Sequence, residues 1–333
     1  MERHVVDLIT GFSRLGVRLR VICQTLDWPN DLPPQVEFVV KSPMSPWSRL
    51  NTWWFENHAL RLCQPDWPVI AISRVPGADL AIVGGTHLGH LRDRGRKHLN
   101  WFNRKTAERE SKMYARVKSI IAHSGKVARE IAELYEVDSN TIHTLYPPVD
   151  VTVFSLAARS KRSELRQQLG LSPDEFLLLF PSNNHALKGA DLILDALNGW
   201  EPRIRLAVAG KSHLQAEGVI NLGFRNDMEQ LYAAADAVIL ASRYEAFGLV
   251  GPESVLCGTP VLFANGVGAA EVLSDRACIR FERTVPALRA ALKEALNRKA
   301  NGSLPLVDPA SHIHYPYSVD LHLAALLQHV VSN

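Results

Sequence analysis

The stretch "DAVILASRYEAFGLVGPESVLCGTPVLFAN" (236–265) holds an apolar run, a loop, a helical segment and a second apolar run. "DAVILAS" (236–242) and "PVLFAN" (260–265) are continuous rather than alternating in polarity, the pattern of strands buried on both faces of a parallel sheet. Between them a helix is expected from about Gly248 to Cys257, with Gly258 at the C′ position and Pro260 just beyond. Ligands of parallel sheets sit outside the carboxyl ends of the strands. Glu245, in the loop after the first strand, therefore falls at the ligand edge. The backbone N–H groups of Phe247, Gly248 and Leu249 fall at the expected helix N-terminus, which favours phosphate. Glu253, eight positions after Glu245, is expected about one turn into the helix. A carboxylate accepts two hydroxyl hydrogen bonds at once and suits the vicinal diols of sugars or ribose. Taken alone, the pair reads as well as a solvated loop glutamate and a helix glutamate stabilised by the dipole.

Working outward, short apolar runs recur along the chain, alternating with helical patterns. They are 18–24, 36–41, 68–73, 79–85, 119–124 and 142–147 in the first half, and 175–180, 204–210, 218–224, 236–242 and 260–265 in the second. Two such sets imply two α/β domains. The proline-bearing stretch "PPVDVTVFS" (147–155), followed by the polar connector "ARSKRSELRQQLGLSPDE" (158–175), puts the junction near Val151–Phe154. The expected division is a domain over 1–152, a second over 153–312, and a tail over 313–333 carrying an amphipathic helix at about 317–331. The chain opens on a helix (Val5, Val6, Leu8, Ile9, Phe12 and Leu15 at helical spacing), then Gly16, then a strand. Doubly wound domains usually open one strand earlier, with a glycine loop before that helix. The first strand and its loop thus read as missing, through truncation or an internal start codon.

The 333 residues, 47% hydrophobic and 21% charged, suit two soluble cores, and the net charge of +3 implies no partner. Four cysteines stand singly, at 23, 63, 257 and 278, with no CxxC pair. Neither a zinc site nor a disulfide framework is indicated, and a reducing compartment fits. No apolar run approaches a membrane span, and the N-terminus lacks the apolar core of a signal peptide. The expectation is a cytoplasmic protein.

Two further loops share the ligand edge of the second domain. "PSNNHALKGADLILDAL" (181–197) follows a strand, with Lys188 in the loop or first turn and Gly189 beside it. A lysine there supplies positive charge to a phosphate. "NGVGAAEVL" (265–273) is a glycine-bearing turn into a helix, again after a strand. Three loops at one sheet edge bearing Lys, Glu, Glu and free amides are more informative than any one of them. In the first domain His87 and His90 lack a carboxylate or cysteine partner, so a metal site is a poor reading and hydrogen-bonded loop histidines a better one. No GxGxxG marks a dinucleotide-binding turn. Segment 90–118 carries ten Lys and Arg against three acidic residues, an excess of seven. It reads as a solvated helix face, or as a surface for anionic lipid or a phosphorylated glycolipid, with Trp101 and Phe102 inside it. Nucleic acid is not the expected partner.

These motifs resemble the retaining glycosyltransferases of family 4, whose hallmark is Glu-x7-Glu after a strand, here Glu245 to Glu253 within "E-A-F-G-L-V-x-x-E-S-x-x-x-G-x-P-V". Their donor-phosphate lysine stands in a K-G pair, matching Lys188–Gly189. "ERHVVDL" (2–8) matches their first helix, and the tail the helix that crosses back to the N-terminal domain. Within the family the first half is similar to lipopolysaccharide core glucosyltransferases, through "RVPGADLAIVGGTHLGHLRDRG" (74–95) and "PPVD" (147–150). The resemblance implies a GT-B fold: two Rossmann-like doubly wound domains with a cleft between them. It implies transfer of a hexose, glucose foremost, from a nucleotide sugar such as a UDP-hexose to a glycolipid or oligosaccharide with retention of configuration. No cofactor and no metal is implied. Lys188 and the amides at 247–249 would stabilise the leaving diphosphate, Glu253 would hold the ribose and Glu245 the donor sugar. Asn184 and Phe224 would complete the donor site, the latter in "LGFR" (222–225), which would offer backbone contacts to the base, and His87, ending a strand of the first domain, would face the acceptor. An arginine that commonly precedes the lysine is absent, with Ala186 and Leu187 in its place; Asn183, Asn184, His185 or Arg243 would compensate. The alternatives are a mannosyl or other hexosyl transferase, a GT-B epimerase or phosphorylase, and a non-catalytic sugar-nucleotide-binding protein.

Overall fold

The computed structural model describes residues 2–28, 31–43, 45, 47–96, 98–200 and 204–331. The chain divides into two compact units, Met1–Pro148 with Pro316–Asn333, and Val149–Tyr315. Lys97, counted in the basic segment, lies outside the described residues.

In the first unit, β1 (Leu19–Cys23) and β2 (Val36–Val40) form a parallel pair. β3 (Ile70–Ala71), β4 (Leu80–Val83), β5 (Ser119–Ala122) and β6 (Ile142–Thr144) form a parallel sheet in chain order. Leu8 and Phe12 of helix Glu2–Arg14 and Leu323 and Leu326 of helix Val319–Val331 close over Leu80, Ile82 and Ile121 of that sheet. The two helices pack tightly enough that a Cβ on Gly11 would fall 2.2 Å from Leu323 Cδ1. Leu15, expected on the same buried stripe, is exposed, because the helix ends at Arg14 and Gly16 turns away at φ +76°.

The second unit is a six-stranded parallel sheet of β7 (Phe176–Pro181), β8 (Ile204–Ala209), β9 (Ile220–Gly223), β10 (Ala237–Leu240), β11 (Val261–Ala264) and β12 (Cys278–Phe281). The order is β12-β11-β10-β7-β8-β9, so β7 lies beside β10 and the winding reverses between them. β7, β10 and β11 are buried along their whole length, which is why their sequences do not alternate. Each of the eleven apolar runs contains a strand. β12 adds one that hydropathy does not mark, since its four residues include exposed Arg280, whose guanidinium bonds the carbonyls of Ala270 and Leu273. The polar connector is fastened to the sheet. Asp236, buried just ahead of β10, accepts from Arg162 (2.7 Å), Arg166 (3.0 Å), Lys299 (3.1 Å) and the Leu177 amide (2.7 Å). Burial alone would raise its pKa; the Leu177 amide and the three cations outweigh that and hold the carboxyl below its ordinary range.

Three buried imidazoles meet in the first unit. The His4 ring lies edge-on to His123 (centroids 4.8 Å) and to His322 (5.1 Å), and His322 Nδ1 faces the Tyr146 carbonyl at 3.0 Å. Burial, and then the neighbouring His322 and the chain N-terminus, lowers His4 to about 3. Burial lowers His322 to about 4 against the opposing Tyr146 bond, and burial with both neighbours holds His123 well below the usual range. All three are neutral when folded and titrate near 6.5 when unfolded, so the unfolded chain binds more protons below that pH. Stability is therefore full above about pH 6.5 and falls as pH drops, by up to about 1.4 kcal/mol per pH unit for each histidine. Denaturant unfolding between pH 7 and 5 should show this slope, and His4→Phe should make it shallower by one proton; an unchanged slope would refute the assignment.

Candidate functional site

The winding reverses between β7 and β10, and the region outside the carboxyl ends of the strands at such a switch point is where parallel sheets take their ligands. Both flanking loops carry sequence-predicted residues. After β7, Asn184 caps the four-residue helix His185–Lys188, its Oδ1 accepting from the Leu187 amide at 3.2 Å. Lys188 is the last residue of that helix, and Gly189 follows at φ +80°. A Cβ on Gly189 would fall 2.1 Å from the Ala241 carbonyl at the end of β10. Glycine is thus required twice over, for the left-handed turn and for the contact. The contact brings Lys188 Nζ to 4.0 Å from Glu245 Oε2, with each side chain about one-quarter exposed (26% and 25%). An ion pair this long and this wet contributes little to stability.

After β10, Glu245 also accepts from Ser242 Oγ at 3.5 Å. Its loop is held by the next one. Gly268 N donates to the Glu245 carbonyl (3.1 Å), Ala269 N to that of Phe247 (2.7 Å), and a Cβ on Gly268 would meet the Ala246 carbonyl at 2.1 Å. The stretch 265–273, expected as a turn into a helix, is a 3-10 helix, Gly268–Val272, pinned to the Glu245 loop. The helix expected from Gly248 to Cys257 spans Val250–Leu256, since Gly248 sits at φ +96°, outside helical space. Leu249 caps it without a side-chain hydrogen bond, and no acceptor among the described residues takes the N–H of Gly248 or Leu249. The Phe247 side chain is buried and packs edge-on against Tyr315, at 5.9 Å.

Glu253 lies in the first turn of this helix at 9% exposure, its Oε2 accepting from the Tyr232 hydroxyl at 3.0 Å. Its amide donates to the Leu249 carbonyl at 3.0 Å, which ties it to the same loop. Phe224 follows β9, 60% exposed, with Lys211 Nζ 5.5 Å above its ring. The groups considered as substitutes for the missing arginine all have internal partners. Arg243 pairs with Asp191 (3.1 Å), and Asn183 Oδ1 accepts from the Lys211 amide (2.9 Å). His185 Nε2 faces the Ser212 carbonyl at 3.0 Å and so carries the proton, leaving Nδ1 to accept from Ser182.

His87 belongs to the first unit and does not end a strand as expected. β4 stops at Val83, and His87 begins the helix His87–Asp93 behind the capping residue Thr86. The first amides of that helix are taken by protein groups: His87 N by Glu110 (2.9 Å), Leu88 N by the Tyr135 hydroxyl (3.0 Å) and Gly89 N by Thr86 (3.1 Å). Burial first, and then the adjacent Glu110 carboxylate, raises the Tyr135 phenol. His87 Nε2 lies 3.2 Å from Asn103 Oδ1. His, Cys, Asp and Glu residues form no metal-holding group of three among the described residues.

If Gly189 sets the distance between Lys188 and Glu245, Gly189→Ala should destabilise the protein by about 2–4 kcal/mol, combining left-handed strain with overpacking. Gly199→Ala, at φ +60° with nothing within 4 Å of the added carbon, should cost only the strain. Equal losses in denaturant titrations of the two variants would remove the steric requirement.

Residues 1–153 match the family model described as Glycosyltransferase Family 4, and residues 161–302 that described as Glycosyl transferases group 1. A probable transglycosylase of Burkholderia thailandensis is 36% identical over 337 residues, covering 98% of this chain and 92% of the relative. Among solved structures, WaaG, a glycosyltransferase involved in lipopolysaccharide biosynthesis, superposes with a TM-score of 0.76 at 20% identity over 90% of this chain and 88% of its own. HepE of Anabaena, in complex with UDP and glucose, does so with a TM-score of 0.71 at 18% identity over 99% and 96%. The chain therefore belongs to the family 4, group 1 glycosyltransferases and has their GT-B fold.

Proposed function

We propose that this glycosyltransferase moves a hexose, glucose foremost, from a UDP-hexose to a lipopolysaccharide-core glycolipid, with retention of configuration. The observation that carries this is the meeting of Lys188 and Glu245 at the β7/β10 switch point, with Glu253 tied to the same loop. A solvated ion pair is easily exchanged. A diphosphate approaching this edge takes the Lys188 ammonium and the Gly248 and Leu249 amides, and Glu245 is released to accept hydroxyls of the sugar. Lys188 and the amides then stabilise charge developing on the leaving diphosphate, worth about 3 kcal/mol for one such contact. The helix behind the amides has only seven residues, so local N–H groups rather than a long dipole do this. Asn184 keeps its amide NH₂ for the same phosphates, its oxygen being used in the cap. Phe224 offers an exposed ring to the base, and the HepE complexes with UDP and UDP-glucose support the choice of nucleotide. We assign His87 to the acceptor.

Transfer from UDP-glucose to core lipopolysaccharide, with the product anomer read by NMR, tests the reaction, and an inverted product would refute retention. Two substitutions test the roles. Glu253→Gln should weaken binding of UDP itself, since ribose is present in substrate and product. Glu245→Gln should leave UDP affinity nearly unchanged and lower single-turnover transfer, since only the intact donor carries the sugar. Equal loss of UDP affinity in both variants would contradict the division.

We also propose a peripheral place on the cytoplasmic membrane face. No described helix is long and apolar enough to cross a membrane. Part of the basic excess is spent inside the fold: Arg109 on Glu56, Lys118 on Asp79 (3.0 Å) and Arg92 on Glu130 (3.2 Å). Arg94, Arg96 and Arg104 pair with no carboxylate among the described residues, and Trp101, three residues before Arg104 on its helix, is 68% exposed. Charge reversal at these three arginines should release the protein from anionic vesicles, and salt should do the same to the unaltered protein. Equal vesicle binding by both proteins would leave this basic segment merely solvated.

A further inference from the structure

We infer that Tyr232 is a positioning residue for the nucleotide: its hydroxyl sets the Glu253 carboxylate in the plane that receives the ribose diol. The inference rests on the assignment of Glu253 to the ribose. Tyr232 lies on helix Met228–Ala234 and is among the largest fully buried side chains, its ring packed against Phe154 at 6.0 Å. Phenylalanine would fill that volume without placing a hydroxyl in the core, which is unfavourable unless it is hydrogen-bonded. The hydroxyl meets Glu253 Oε2 at 3.0 Å. Beneath this contact the same residues close a circuit. Thr259 Oγ1 donates to the Tyr232 carbonyl at 2.7 Å, and Ser254 Oγ, next to Glu253, donates to the Thr259 carbonyl at 2.8 Å. Ser254 and Thr259 are as buried as Tyr232.

The helix bearing Tyr232, the helix bearing Glu253 and the turn at Thr259 are therefore tied into one hydrogen-bonded unit, of whose four linking side chains Glu253, at 9%, is the most exposed. A side chain with three rotatable bonds would otherwise lose rotamer freedom on binding a ligand. With Oε2 held by Tyr232, that freedom is already spent when the nucleotide arrives. Ionised carboxylate oxygens have about four acceptor sites between them, enough for the phenol and two ribose hydroxyls together.

The test compares UDP with 2′,3′-dideoxy-UDP by calorimetry on the full chain. The unaltered protein should prefer UDP by at least about tenfold, the equivalent of 1.4 kcal/mol. Tyr232→Phe should move that preference toward parity while leaving the affinity for the dideoxy nucleotide unchanged. A preference kept intact in Tyr232→Phe overturns the inference and leaves the Glu253 assignment standing. Equal weakening of both nucleotides also overturns it, since a merely structural lesion acts on both alike. No preference in the unaltered protein sinks the Glu253 assignment and the inference with it. Should Tyr232→Phe not fold, Tyr232→Met, which likewise removes the hydroxyl, is judged by the same two outcomes for a variant.

Discussion

The contact between Gly189 and the Ala241 carbonyl is the constraint on which the candidate site depends. It occurs because β7 and β10, far apart in sequence, are neighbours at the point where the winding of the sheet reverses. Only a residue without a Cβ passes there, and only that passage sets Lys188 opposite Glu245. The remaining loops are supports. Gly268 packs under Ala246 and fixes the Glu245 loop from one side; the Tyr232–Thr259–Ser254 circuit fixes Glu253 from below. Rigid elements thus hold charged groups that have little structural work of their own, which suits a pre-organised binding edge.

Two helix N-termini, one in each unit, are finished in opposite ways. In the first, the helix behind β4 has its leading amides taken by Glu110, Tyr135 and Thr86. In the second, the helix behind β10 has a leucine cap with no side-chain hydrogen bond, and the N–H groups of Gly248 and Leu249 meet no protein acceptor among the described residues. Open amides thus accompany Lys188, Glu245 and Glu253, and closed ones accompany His87. An anion at the second edge would meet open amides without displacing a buried carboxylate, whereas at the first it would have to compete with Glu110.

Legibility in the sequence followed the range of the interactions. Strands buried on both faces announce themselves as apolar runs, so the α/β class and the alternation of elements could be read directly. β12 escaped because an edge strand tolerates Arg280. Lys188, Glu245 and Glu253 could be placed at loops and helix starts because strand, turn and helix signals are local. What was not legible is what only folding brings together. Asp236 draws in Arg162, Arg166 and Lys299 from across the sequence, and the connector looked merely polar until its arginines were seen in that cluster. The basic segment is less basic in the fold than in sequence for the same reason, since Glu56 and Asp79, which neutralise two of its cations, lie outside it. Tyr232 gave no signal, being one aromatic among the apolar residues of a core helix.

The most direct test of the central claim, that the β7/β10 edge holds the donor nucleotide, is a crystal structure of the chain grown with UDP. The account predicts diphosphate oxygens within about 3 Å of Lys188 Nζ and of the Gly248 or Leu249 amide, with ribose hydroxyls on Glu253. A diphosphate ordered elsewhere, or one that leaves the Lys188–Glu245 pair intact, would contradict it.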